Sequence, residues 1–259
     1  MKKIVIVGGH EQACQMLNYI INLNNAKVVL CVCRKDDSGQ DGVFPSLLLQ
    51  AKRFNIPFIK SESINSNNVL KIVEKSDPDI ALSLQNNMIF GSNWLDFFNK
   101  KLGIVNVHYA PLPKYGGYWP EMWAIWNGET RFAVSMHYVE KGLDTGPIID
   151  QYWFDIDPYE NRETLYKKSS NYCYEMLTHN LNKVLNKRQK CQLQDKSKRT
   201  YYPKSLPNDG VLDLSWSVDK QERFIRAIAF TGFPGPKIKI ENQFYTILMG
   251  DIPFFEQQS

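Results

Sequence analysis

The chain has 259 residues, 43% of them hydrophobic and 22% charged, which excludes a disordered polymer and suits one large domain, with or without a small appendage, around a sizeable core. The formal net charge of +4 is mild, and no long basic tail of the kind that binds nucleic acid is present. No stretch approaches the about 18 consecutive apolar residues that a membrane span needs.

The N-terminal run "MKKIVIVGGHEQ" is too short in its apolar part for a signal-peptide core, so it reads as a first strand and a cytoplasmic protein is expected. Four further apolar runs, Lys27–Cys33, Pro57–Ile59, Asp79–Leu84 and Gly103–Val107, read as strands after Lys3–Val7. Helical periodicity fills the gaps at Gln12–Asn22, Pro45–Phe54, Asn67–Lys75 and Trp94–Asn99. Near-continuous apolar strands alternating with helices predict a parallel sheet covered on both faces, with its ligand crevice at the carboxyl ends of the strands. Next come a helix at Trp119–Asn127, strands at Phe132–Val139 and Pro147–Phe154 joined through Leu143-Asp144-Thr145-Gly146, and a long helix at Glu163–Asn186. Near residues 195–200 the texture turns rich in Pro, Lys, Asn and Gly. Beyond it a helix at Lys220–Phe230 and a hairpin of Lys237–Ile240 with Phe244–Leu248 are expected. The expected fold is therefore α/β: a Rossmann-like, mostly parallel sheet with helices on both faces, plus a small C-terminal α+β appendage with a β-hairpin. The expected division is 1–198 and 199–259.

Several chemistries fit the sequence poorly. The first strand ends in Gly8-Gly9-His10-Glu11-Gln12-Ala13, where a dinucleotide fingerprint beginning at Gly8 would need glycine in place of His10. No G-x-S-x-G elbow occurs. The five cysteines, at 14, 31, 33, 173 and 191, are odd in number and irregularly spaced, which speaks for reduced thiols rather than a disulfide framework. The histidines at 10, 108, 137 and 179 are scattered without metal-ligand spacing, so no metal is expected; His137, in a strand pattern, and His179, on a helix, read as structural.

What remains is "LGIVNVHYAPLPKYGG", residues 102–117. Asn106 and His108 are two apart on a strand, so both project from one face at its carboxyl end. An amide donor beside an imidazole suits acyl transfer to an amine: the amide stabilises the oxyanion and the imidazole takes the proton. Asp144, in a loop between later strands, could orient the ring. From spacing alone, a structural histidine and a turn-forming aspartate are the commoner readings of such residues.

The string "NVHYAPLPKYGG…WAIWNGE…VSMHYVEKGLDTGPII" resembles the signature of folate-dependent formyltransferases: Asn-x-His, then Leu-Pro-x-x-x-Gly, then a downstream "lDtG-x-I". The resemblance spans about residues 80–152. It implies that Asn106, His108 and Asp144 are the catalytic trio and that 10-formyltetrahydrofolate is the cosubstrate, its pterin held by loop 85–89 (Asn87, Met88 and Ile89) and flanked by Gly142 and Leu143. Members of the family act on glycinamide ribonucleotide, methionyl-tRNA or nucleotide-linked amino sugars. The tail "YYPKSLPNDGVLDLSW…RFIRAIAF…FPGPKI" is most similar to the sugar N-formyltransferases. The resemblance therefore implies a dTDP-linked amino-dideoxy sugar, with the 4-amino isomer favoured over the 3-amino one, and a place in surface polysaccharide (O-antigen) synthesis. The apolar, aromatic tail (Phe244, Tyr245, Ile247, Phe254 and Phe255) suggests a homodimer, and the mild charge and short apolar runs suggest no nucleic-acid or membrane partner. Candidate substrate contacts are His10, Trp119, Tyr201, Arg226 and Phe233. A methionyl-tRNA or glycinamide ribonucleotide formyltransferase, or a silent folate- or nucleotide-binding protein, is the alternative. One departure stands out: Gly116 takes the place of an arginine that many family members carry in Lys-Tyr-Arg-Gly.

Overall fold

The structure is a computed structural model, and it describes residues 1–187 and 190–247. Leu248 of the expected hairpin, and Phe254 and Phe255 beyond it, lie outside the described residues.

In chain order the main unit comprises β1 (Lys2–Gly8), α1 (His10–Ile20), β2 (Ala26–Cys33), α2 (Leu47–Arg53), β3 (Phe58–Lys60), α3 (Asn67–Ser76), β4 (Ile80–Leu84), α4 (Ser92–Asn99), β5 (Ile104–His108), β6 (Gly116–Gly117), α5 (Pro120–Asn127), β7 (Arg131–Tyr138), β8 (Ile148–Asp155) and α6 (Arg162–Leu185). The tail adds β9 (Tyr201–Tyr202), β10 (Val211–Leu212), α7 (Val218–Ile228), β11 (Lys237–Ile240) and β12 (Gln243–Thr246). The large sheet has the order β3-β2-β1-β4-β5-β7-β8. Its pairings are parallel as far as β5 and antiparallel at β5–β7 and β7–β8.

Side-chain alternation along the strands explains the layers. Ile4, Ile6, Cys31, Cys33, Leu82 and Leu84 point into one core with residues of α1, α2, α5 and α6. Their neighbours Val5, Val7, Leu30, Val32 and Ala81 point to the other face, into a core built with α3 and α4. Burial on both faces is why these strands are apolar at nearly every position. Cys31 and Cys33 share a face, as their period-two spacing requires; both are free thiols, as are Cys14, Cys173 and Cys191.

Capping sets several boundaries. Ser46 and Ser66 accept the N–H groups of Leu49 and Val69 and start α2 and α3. Asn161 and Thr164 form a capping box at the head of α6, which makes Arg162 the first residue of that helix. The expected elements lie within a few residues of those observed. The short pairing of β6 with β9 was not legible, because two-residue strands carry no periodicity. The appendage is a three-stranded sheet, β10-β11-β12, with α7 packed against it. No described helix is long and apolar enough to cross a membrane.

β1 lies between β2 and β4, so the strand order reverses there and a crevice opens at the carboxyl ends. His10 follows β1 and Gln85 follows β4 at that point, and Gln85 accepts the Gln12 N–H at 3.0 Å.

Candidate active site

The antiparallel register of β5 with β7 sets Asn106 opposite His137 and His108 opposite Ser135. Asn106 Nδ2 lies 3.0 Å from His137 Nε2, and His137 Nδ1 lies 2.8 Å from the Tyr138 carbonyl oxygen. A carbonyl only accepts, so Nδ1 of His137 carries the proton and Nε2 accepts from the Asn106 amide. Burial holds the His137 pKa below its ordinary value, against the pull of Asp144, and keeps the ring neutral as this bond requires. One N–H of Asn106 is thus fixed, and its nitrogen carries a second.

His108 Nε2 lies 2.8 Å from the Tyr115 carbonyl oxygen and donates to it. In the neutral ring this leaves Nδ1 with the lone pair. Asp144 Oδ2 stands 3.9 Å from His108 Nε2, and its Oδ1 3.8 Å from His137 Nε2. These are ion-pair rather than hydrogen-bond distances, so the carbonyl orients His108 while the carboxylate supplies charge. Asp144 is held from three sides. Its backbone is left-handed, at φ 54°. Its Oδ2 accepts the Gly117 N–H at 3.1 Å, and Gln194 Nε2 donates to its carbonyl at 2.8 Å. The structure therefore brings Asn106, His108 and Asp144 together. It adds His137, which the sequence reading took as structural and whose partner only the sheet register reveals.

Loop 85–89 leaves β4 beside this group. Asn86 folds over it, donating to the Met88 carbonyl at 2.8 Å and accepting the Met88 N–H at 3.0 Å, while Asn65 donates to the Ile89 carbonyl at 2.9 Å. Met88 and, from the loop after β7, Val139 pack against the same core. Asn87, Ile89, Gly142 and Leu143 are exposed.

The five candidate substrate contacts divide. His10 stacks on Phe44 with centroids 4.1 Å apart, and Phe44 touches Phe233 at 6.5 Å. The Arg162 guanidinium lies 5.2 Å from Trp119 and 5.9 Å from Phe233. His10, Trp119 and Phe233 therefore share one aromatic wall at the strand ends. Tyr201 lies over Gly117, on the Asp144 side. Arg226 is apart from both: it donates to the Glu160 carbonyl at 2.7 Å and borders a separate open cleft with Asp157, Asp219 and Glu222. At Gly116, a β-carbon would sit 3.4 Å from the Thr200 carbonyl and 3.9 Å from Asp144, so a side chain there would abut the trio. An arginine does reach this region from the tail, where Arg199 donates to the Leu143 carbonyl at 3.3 Å.

Residues 1–181 match the family model described as Formyl transferase. The chain belongs to the formyl transferase family. It is 32% identical to the methionyl-tRNA formyltransferase of Thermotoga maritima, over 93% of this chain and 76% of that protein. A bifunctional polymyxin resistance protein ArnA, of Wigglesworthia glossinidia brevipalpis, is 30% identical over 87% of this chain, which covers 34% of that protein. Among solved structures, WlaRD, a sugar 3N-formyl transferase determined with dTDP and 5-N-formyl-THF, superimposes with a TM-score of 0.77 at 25% identity, over 93% of this chain and 84% of that one. An N-formyltransferase from Helicobacter canadensis, determined with folinic acid and dTDP-3-aminofucose, superimposes with a TM-score of 0.76 at 25% identity, over 93% of this chain and 85% of that one. For a formyl transferase the geometry around Asn106 is apt: a fixed amide donor, an imidazole with a free lone pair and a buried carboxylate stand within one group.

Proposed function

We propose that this formyl transferase moves the formyl group of 10-formyltetrahydrofolate onto the amine of a nucleotide-linked, dTDP-type amino-dideoxy sugar, as a step in making surface polysaccharide. The observation that carries the reading is the aromatic wall of His10, Phe44, Trp119 and Phe233. It is drawn from both the main unit and the tail and stands at the sheet's switch point, which suits a small nucleotide sugar. The dTDP and folate ligands of the two solved relatives support it.

In this reading the neutral amine attacks the formyl carbon. The second N–H of Asn106 meets the oxyanion as the C–N bond forms, and His108 Nδ1 takes the amine proton, its imidazolium balanced by Asp144. Collapse of the intermediate breaks the bond to the folate nitrogen, which receives the proton. Loop 85–89 and residues 142–143 hold the pterin. Residues 1–198 carry the chemistry, and 199–259 help to select the acceptor. Exposed Phe244 and Tyr245 on β12 offer a face for a second copy of the chain.

The test is formyl transfer measured with 10-formyltetrahydrofolate and dTDP-4-amino-4,6-dideoxyglucose, dTDP-3-aminofucose and methionyl-tRNA in parallel. Turnover of an amino sugar and not of the tRNA is expected, with the 4-amino sugar preferred on the sequence reading. The identity to methionyl-tRNA formyltransferases makes the tRNA the second reading, and turnover of the tRNA alone would replace the first.

A further inference from the structure

Glu121 and Arg162 form a buried ion pair with no part in the chemistry described above. Glu121 is the second residue of α5, after Pro120, and Arg162 the first residue of α6. Each is 5% exposed. Their closest approach, Arg162 Nε to Glu121 Oε1, is 3.7 Å, an ion-pair distance too long for a hydrogen bond. Arg162 Nε has no hydrogen-bond partner. The guanidinium faces Phe230 at 5.0 Å, Trp119 at 5.2 Å and Phe233 at 5.9 Å, three rings that hold it in place without accepting its N–H groups. Charges out of water normally close on each other and fill their remaining donors and acceptors, because burying them otherwise is costly. Here the two heads stay apart and Arg162 Nε is left unfilled, and the pair adjoins the aromatic wall: the guanidinium faces Trp119 and Phe233, and Trp119 lies two residues before Glu121.

We propose that Glu121 and Arg162 are the acceptor-recognition pair of this enzyme, Glu121 accepting an N–H of the sugar amine beside His108 and Arg162 donating to an oxygen on a neighbouring carbon of the same ring. The proposal rests on the amino-sugar reading. A carboxylate 3.7 Å from the guanidinium repels a phosphate, so the pair is unsuited to the pyrophosphate of the same substrate. It matches instead a ligand that carries a donor next to an acceptor, as a vicinal amino alcohol does. Each partner is fixed at the first turn of its helix, so the two heads are set before the ligand arrives, which lowers the ordering cost of binding.

The experiment uses the full chain, 10-formyltetrahydrofolate and the amino-sugar nucleotide with the higher wild-type turnover. Glu121→Gln keeps the shape and removes the charge; Glu121→Asp keeps the charge and withdraws it by one methylene. Arg162→Lys keeps the cation and loses the planar fork. Each is expected to raise the acceptor KM by about tenfold or more while the folate KM stays within about twofold, since the site's buried polar group is left poorly matched. Binding of dTDP, which lacks the sugar, is expected to be unchanged. Weaker dTDP binding by Arg162→Lys, or equal losses toward both substrates, would overturn the proposal. So would unchanged acceptor KM in a folded Glu121 variant. A wild-type enzyme that formylates neither amino sugar would overturn the substrate reading, and the role of the pair with it. Acceptor turnover by the wild type with indifferent variants would overturn the pair alone.

Discussion

Asn106 and His108 owe their usefulness to groups that hold them: His137 fixes the amide and the Tyr115 carbonyl fixes the imidazole. His108→Asn removes the proton acceptor and is expected to lower kcat by about 10²–10⁴-fold with an unchanged melting temperature; near-full activity in a folded variant would end its assignment as base. His137→Leu strands the Asn106 N–H and should lower both kcat and stability, the latter by about 1–3 kcal/mol. His137→Gln, whose amide oxygen can still accept, should recover most of the kcat, and failure to do so would mean that the ring matters for another reason. A pH dependence follows from His10. Burial first, and the Arg34 charge second, lower its pKa to about 4 from the ordinary 6.5 of a histidine. The unfolded chain then binds more protons than the native one across that interval. Stability is fully present above pH 6.5 and declines as the pH falls towards 4, and the lowered pKa of His137 acts in the same direction. Urea unfolding from pH 7 to 4 measures this. His10→Asn, which tolerates the left-handed backbone at φ 57°, should flatten the slope.

Among the elements, one of the shortest bears directly on the site. β6 consists of Gly116 and Gly117, and its pairing with β9 brings the tail against the Asp144 loop. Gly117 has φ 103°, and a β-carbon there would lie 2.2 Å from the Tyr202 carbonyl oxygen. Its N–H is also the donor to Asp144. Gly117→Ala should therefore destabilise the protein by about 1–3 kcal/mol and lower kcat together, since strain and the loss of the Asp144 contact arise at one position. A variant that loses stability but keeps its kcat would show that Asp144 is held by Gln194 and its own backbone without this bond. No pattern in the sequence announces β6. Two glycines after Leu-Pro-Lys-Tyr mark a turn, and only the arrival of Tyr201 and Tyr202 makes them a strand.

At the scale of the whole molecule, the tail is built into the main unit. Tyr202 stacks between Tyr115 at 5.2 Å and Trp123 at 4.7 Å, and Trp126 of α5 packs against Trp216 and Phe224 of the tail. Unfolding is expected to be a single transition that coincides by far-UV and near-UV circular dichroism. Two separated transitions would mean that the tail melts independently despite these contacts.

The strands and helices of the main unit were legible because each is a local pattern. Apolar runs, helical periodicity and Ser or Asn caps are properties of neighbouring residues, and they suffice for an α/β sheet covered on both faces. The motif around Asn106 and His108 was legible for the same reason, and the family resemblance connected it with Asp144. The closing of β7 antiparallel on β5 is decided by long-range packing, and with it the pairing of His137 with Asn106. So are the convergence of His10, Trp119 and Phe233 and the meeting of Glu121 with Arg162. The residues of each contact lie far apart in the chain, and backbone register and burial, which no short window of sequence contains, choose which of them meet.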